Sequence, residues 1–263
     1  MLKNKKLLLI LAAVVIIAVA VTLILILPRD NADESPTKSP SVTGSNSDDN
    51  GNTAAGGEVY TDDSPITKNT DTKTFPFAIS GTKIEVLSYT SYDGVFIEDG
   101  TDTAISGVST LIIRNSGKTA IELADISVKC NGKQLQFTCS SLPAGAMAVL
   151  QEKGRTPYSE GTLTDCRASV SELDALPMSD DLVSVTGGDG NSLIVKNISG
   201  KAIPCVRIFY KFYATEEKAF VGGITYVAKI TDLQPGAEQT ITPTHYADGY
   251  STVTMVRTYD SAQ

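Results

Sequence analysis

Apolar and polar positions along the chain fall into three regimes. Residues 7–27, LLLILAAVVIIAVAVTLILIL, form 21 consecutive residues without a charge. A helix of that length crosses a bilayer core at about 1.5 Å per residue. From Pro28 to Thr74 the chain is mostly Ser, Thr, Asn, Asp, Gly and Pro. So few large apolar side chains cannot offset the entropy of ordering, which predicts a disordered linker over 28–74. From Phe75 onward short runs alternate with period two. Ile126, Val128 and Cys130 alternate with Ser127 and Lys129, and Leu135, Phe137 and Cys139 with Gln134, Gln136 and Thr138. Such alternation predicts half-buried strands. Asn131-Gly132 between the two runs is a type I′ hairpin signal. A two-residue turn there sets Cys130 opposite Lys133, Val128 opposite Leu135 and Ile126 opposite Phe137, so that the apolar faces coincide. Further on, Val206, Ile208, Tyr210 and Phe212 share one face of a strand, and Arg207, Phe209, Lys211 and Tyr213 the other. Outside the apolar run, helical spacing extends to no more than a turn or two near Ser171–Leu176.

The strand-rich region repeats itself. Leu111-Ile112-Ile113-Arg114-Asn115 recurs as Leu193-Ile194-Val195-Lys196-Asn197, Ser116-Gly117-Lys118 as Ser199-Gly200-Lys201, and Ala120-Ile121 as Ala202-Ile203. Downstream, LPAGA at 142–146 recurs as LQPGA at 233–237. This spacing is the size of a small β-sandwich. The reading is all-β: two tandem immunoglobulin-like β-sandwich domains, 75–178 and 179–263, preceded by one transmembrane helix and a disordered linker.

The runs SLIVKNISGKAIPCVRIFYKFY and FVGGITYVAKITDLQPGAEQTITP carry a resemblance. In order they give a strand, an N-x-S-G-K turn, a long strand ending in aromatics, and L-x-P-G before the last strands. This resembles the FxLYD-type and related immunoglobulin-like modules of bacterial envelope proteins. The resemblance implies an extracytoplasmic accessory or interaction module, with no catalytic residues to carry over.

Charge orients the chain. Lys3, Lys5 and Lys6 precede the apolar run, and all 30 acidic residues follow it. By the positive-inside rule, residues 1–6 form a cytoplasmic tail and 28–263 lie outside the membrane, a single-pass topology. A cleaved signal peptide is the rival reading, but the run is long and no small-residue cleavage pattern follows it. Beyond the anchor, 19 basic residues face 30 acidic ones. Such an acidic exterior argues against nucleic acid as a partner.

Candidate chemistry is sparse. His245 is the single histidine, so a zinc site is not expected, and it reads as a surface-loop residue without a visible partner. Ser35 and Lys38 match S-x-x-K by chance within the linker. Cys130, Cys139, Cys166 and Cys205 allow three full pairings. The hairpin register places Cys139 roughly 20 Å from Cys130 along the strands, too far to bridge. Cys139–Cys166 is the preferred disulfide, with Cys130 and Cys205 as buried thiols. The segment Ser91–Asp102, SYDGVFIEDGTD, reads as an expanded loop where copy two has the tight Gly187–Gly190 connection, and long loops on rigid scaffolds are where binding resides. Tyr92, Asp93, Glu98, Asp99 and Asp102 are its candidate contacts, joined by Tyr246 and Tyr250 of the tyrosine-rich second copy. The loop carboxylates have the hard oxygens that calcium takes, but their spacing fits no EF-hand, and no cofactor is expected.

Together these features predict a non-enzymatic, membrane-anchored extracytoplasmic module. Its expected partner is an envelope protein or a cell-wall polymer. The alternatives are a structural spacer or assembly subunit of a membrane complex and, remotely, a hydrolase using His245.

Overall fold

The computed structural model describes residues 74–261. The expected tail and anchor, and the linker up to Lys73, lie outside the described residues. Thirteen strands follow: β1 Phe77–Ala78, β2 Ile84–Phe96, β3 Thr103–Asn115, β4 Ala120–Cys130, β5 Lys133–Leu142, β6 Met147–Gln151, β7 Leu163–Leu173, β8 Val183–Gly187, β9 Leu193–Asn197, β10 Ile203–Ala214, β11 Ala219–Leu233, β12 Glu238–Ile241 and β13 Ser251–Tyr259. The described region is all-β, consistent with a β-sandwich. Of the segment Ser171–Leu176, where the spacing allowed a turn or two of helix, the first three residues are the end of β7.

The sequence repeat is a repeat of topology. In the first copy β3 lies between β2 and β6, and β4 between β5 and β7. In the second copy β9 lies between β8 and β12, and β10 between β11 and β13. The N-x-S-G-K word recurs because its asparagine makes the same lock twice. Asn115 Nδ2 donates to the carbonyls of Thr119 (2.8 Å) and Leu142 (3.3 Å), and Asn197 Nδ2 to those of Lys201 (2.8 Å) and Leu233 (2.8 Å). The backbones agree. Asn115 N–H donates to Ala146 O and Asn115 O accepts from Gly145, while Asn197 does the same with Ala237 and Gly236. Gly145 and Gly236 have φ of 74° and 70°, a left-handed turn that glycine enters without a Cβ clash. Both asparagines are buried, so their amides satisfy carbonyls that water does not reach.

One sheet runs across the expected boundary between 178 and 179. Its order is β1-β2-β3-β6-β11-β10-β13, and the seam is a parallel pairing of β6 with β11 (Ala219 to Met147, Phe220 to Ala148, Val221 to Val149). Val108–Ile113 and Ala148–Gln151 are buried without interruption, the mark of strands covered on both faces. Leu111, Ile113, Ala148 and Leu150 pack with Ile126, Leu135 and Phe137 of β4 and β5. Ile112 and Val149 join the other cluster, with Val183 and Val195 of β8 and β9 and Val206, Ile208, Tyr210 and Phe212 of β10.

The β4–β5 hairpin has the expected register, with Cys130 opposite Lys133 and Ile126 opposite Phe137. Asn131 and Gly132 have φ of 50° and 77°, as a type I′ turn requires. The Cys139–Cys166 disulfide is corrected: none of the four cysteines is in a disulfide. Cys139 pairs with Ala124 on one side of β4, and Ala124 pairs with Val170 on the other. Cys166 is therefore two strands across and four residues along, about 13 Å in the strand direction alone, beyond the reach of a disulfide.

Asn115→Ala strips a buried amide from its carbonyls and is expected to destabilise the fold by about 2–3 kcal/mol, with Asn197→Ala similar. Denaturant unfolding of the full chain measures both, and an unchanged midpoint for either denies the lock its role.

Candidate functional site

The expected binding loop is shorter than its sequence suggests. Residues 91–96 continue β2, a thirteen-residue strand paired with β3, and only 97–102 form the connection. That connection is turned inward, across the seam onto the second copy.

Two glycines of β11 make room for it. A Cβ on Gly223 would lie 1.7 Å from the Thr138 carbonyl oxygen of β5, and one on Gly222 would lie 2.5 Å from Ile97 Cγ2. With no side chain in the way, the Gly223 amide donates to Glu98 Oε1 at 2.7 Å. The same oxygen accepts from Gln151 N–H at 3.3 Å, and Gln151 itself clamps the loop through Val95 O and Ile97 N–H, both at 2.8 Å. On the other side of Gly223 lies Lys211, whose Nζ donates to Gly223 O (3.0 Å) and Ser140 O (2.8 Å). Lys211 is buried, and Glu98 Oε2 is buried without a hydrogen-bond partner. Burial disfavours the charged form of each group. It pushes the Glu98 carboxyl up, against the Gly223 amide, and the Lys211 amine down. Burial also pushes the Cys139 thiol up to about 11, opposed by Lys211.

The loop's end makes a second tie. Asp102, at φ 53°, accepts from the Tyr226 hydroxyl at 3.0 Å through Oδ1 and lies 2.8 Å from His245 Nδ1 through Oδ2. The imidazole stacks on the Tyr226 ring, with centroids 4.2 Å apart and planes at 11°. His245 is thus corrected from a partnerless surface residue to a member of an Asp–His–Tyr cluster joining both copies. Burial, then Asp102, pushes the Tyr226 phenol far up. An aspartate on Nδ1 fixes the imidazole tautomer and leaves Nε2 as the acceptor. Nε2 is neither buried nor hydrogen-bonded among the described residues, so the geometry has an oriented base and no nucleophile attached to it.

The remaining candidates are placed as follows. Tyr92 is a core residue rather than a surface contact, its hydroxyl on Val95 O at 3.2 Å. Asp93 accepts from Gly107 N–H at 2.9 Å and from Ser106 Oγ, holding the β2–β3 bulge. Asp99 is exposed, accepts from Thr101 and pairs with Arg155, which lies 4.5 Å over the Phe96 ring. Tyr246 is buried edge-on to Tyr210, centroids 5.7 Å apart. Tyr250 is half-buried, its carbonyl accepting from Tyr213 N–H at 2.7 Å. Asp93, Glu98, Asp99 and Asp102 each serve different protein donors rather than one point. No group of three His, Cys, Asp or Glu side chains is placed to hold a metal ion among the described residues. Lys211 and Tyr226, central to both ties, were outside the sequence-based candidates. The pair Gly222-Gly223 within an otherwise strand-forming run was the available signal, since glycine in a strand marks close backbone approach.

No family model, curated protein or solved structure matches the chain.

Two outcomes follow from the geometry. Gly223→Ala drives a methyl into the Thr138 carbonyl and is expected to destabilise by about 3 kcal/mol or to block folding, read by thermal unfolding beside the milder Gly236→Ala. Glu98, with its folded pKa raised above its ordinary 4.5, binds its proton more tightly folded than unfolded. Its contribution is complete below that value and is lost as pH rises through the folded pKa. Lys211 acts in the opposite sense, in the window below its ordinary 10.5. Glu98→Gln, which keeps a carbonyl for Gly223, is expected to flatten the decline in stability above pH 4.5. Identical pH profiles for the two proteins contradict this assignment.

Proposed function

We propose that the chain is a non-enzymatic, membrane-tethered interaction module of a bacterial cell envelope. Its head is two immunoglobulin-like sandwiches of the kind the FxLYD-type resemblance implies, held outside the membrane by the anchor at 7–27. The observation that carries this reading is the β6–β11 seam. Two copies joined by a hinge present their surfaces at variable spacing, whereas a shared sheet with two side-chain ties fixes it. A head that meets a partner with both copies gains by such preorganisation. The inward-turned loop moves the contact surface to the outer strand faces, where Leu123 is 43% exposed and Val227 49%.

Those same side chains favour a second reading, an assembly subunit that packs laterally in a membrane complex, because they sit on strand faces. The hydrolase reading rests on the Asp102–His245 orientation alone. A cell phenotype that survives His245→Ala removes it.

The full chain in lipid nanodiscs, offered purified wall polymer, and the tagged chain crosslinked in its own cells test the first two readings. Retention by polymer or a reproducible crosslinked envelope protein, lost in Leu123→Asp/Val227→Asp, is the expected result. Crosslinks of the chain to itself alone favour the assembly subunit. Absence of all of them overturns the interaction reading.

A further inference from the structure

One strand edge that is covered in the first copy is open in the second. Ile84 of β2 is opposite Asn115, and Val183 of β8 is opposite Asn197, so the two locking asparagines make β2 and β8 equivalent. In the first copy β1 covers the outer edge of β2. Phe77 pairs with Val86, and Ile79 N–H donates to Ile84 O at 2.9 Å. Phe77 is half-buried and packs against the first copy's core. In the second copy the chain before β8 takes another course. Pro177 O accepts from Val256 N–H of β13 at 2.8 Å, and β8 pairs with β9 alone among the described residues.

Backbone alternation shows which groups are left open. Gly188 N–H donates to Ser192 O, toward β9. In an antiparallel ladder alternate residues face the same way, so Thr186 and Ser184 also face β9. Val185, between them, turns its N–H and C=O outward. Val183 N–H, the next outward donor, is taken by Ser179 O at 2.9 Å. Val185 is thus the place where an added strand would exchange hydrogen bonds, the position that Val86 offers to Phe77. Its side chain is half-buried against the second copy's core, so an apolar residue opposite it would extend that core.

Edge strands are ordinarily blunted by charge or proline. β12, the other edge of the same sheet, begins with Glu238. β8 reads Val-Ser-Val-Thr-Gly, with neither. Lys196 of β9 is opposite Ser184 and has Glu238 opposite it on its other side. The charges next to β8 lie at its ends: Asp180 and Asp181 before it and Asp189 after it, all exposed. These aspartates choose the occupant. Asp181 and Asp189 are each four residues from Val185. A second copy paired antiparallel about Val185 would set Asp181 of each chain opposite Asp189 of the other, and like charges directly opposite oppose pairing. A segment with lysine or arginine at those places gains where a second copy loses.

We infer that the outer edge of β8 is a strand-addition site for an extended peptide of a partner protein, with an apolar residue opposite Val185 and basic residues flanking it. Main-chain hydrogen bonds supply the affinity, and the core beside Val185 and the flanking aspartates supply the selection. The site is separate from the exposed strand faces at Leu123 and Val227, and it does not depend on the envelope role.

The test offers the full chain in nanodiscs a fluorescein-labelled peptide, Lys-Ser-Val-Thr-Phe-Thr-Val-Ser-Lys, and reads anisotropy and amide hydrogen exchange. Expected are saturable binding and slowed exchange confined to β8. Val185→Pro removes the outward N–H and no ladder bond to β9, a change that an edge strand tolerates, and should abolish both signals. Asp181→Lys/Asp189→Lys should weaken binding at least about fivefold and favour the same peptide with glutamate at both ends. Circular dichroism checks that both variants fold. Absence of saturable binding, protection away from β8, or affinity indifferent to both variants overturns the proposal. So does protection of β8 by raised chain concentration alone, which assigns the edge to a second copy.

Discussion

The close approach of β11 to β5 at Gly223 is the constraint on which the rest of the structure depends. A peptide with no side chain lets two strands from different copies come nearly into backbone contact. Its amide and carbonyl are then offered to Glu98 and Lys211, one from each copy. Inward turning of the 97–102 connection and the Asp102 tie to Tyr226 and His245 are consistent with that approach. So is the run of sheet from β6 into β11, since Val221 is already in register with Val149 two residues before Gly223.

The node is electrostatically unusual. A carboxyl and an amine are both taken out of water, yet no salt bridge joins them; each is turned to backbone groups instead. Desolvation of two ionisable groups opposes folding, and the hydrogen bonds to Gly223 and Ser140 offset part of it. What such a node contributes is uniqueness of fit. A slid or rotated arrangement of the two copies would leave both groups buried without partners, a far larger penalty than the native arrangement carries.

Local patterns were legible because their causes are local. Alternation in 126–139 and Asn131-Gly132 contain the whole hairpin, register included. The repeated N-x-S-G-K and P-G words marked the two copies because each word folds back on itself through one asparagine. The seam was not legible. β6 is five residues with no polar alternation, and nothing in it tells which distant strand its free edge will meet. The acidic loop misled for a related reason. Carboxylates among glycines are the composition of a solvated turn, and whether Glu98 and Asp102 look outward or across depends on β11, more than a hundred residues later. His245 and the disulfide erred together in that way. A lone histidine shows no partner in sequence, and two core-facing cysteines show no distance.

The order in which the seam is completed has a consequence for biogenesis. β6 is made about seventy residues before β11, so the first copy can close its own layers while one edge of its sheet stays open. An unpaired edge is a template for any extended chain nearby, and closing it waits on a distant segment, which is slow. The interval between synthesis of Gln151 and arrival of Val221 is therefore when a nascent head is most prone to pair with its neighbours, and when a holding chaperone would matter most.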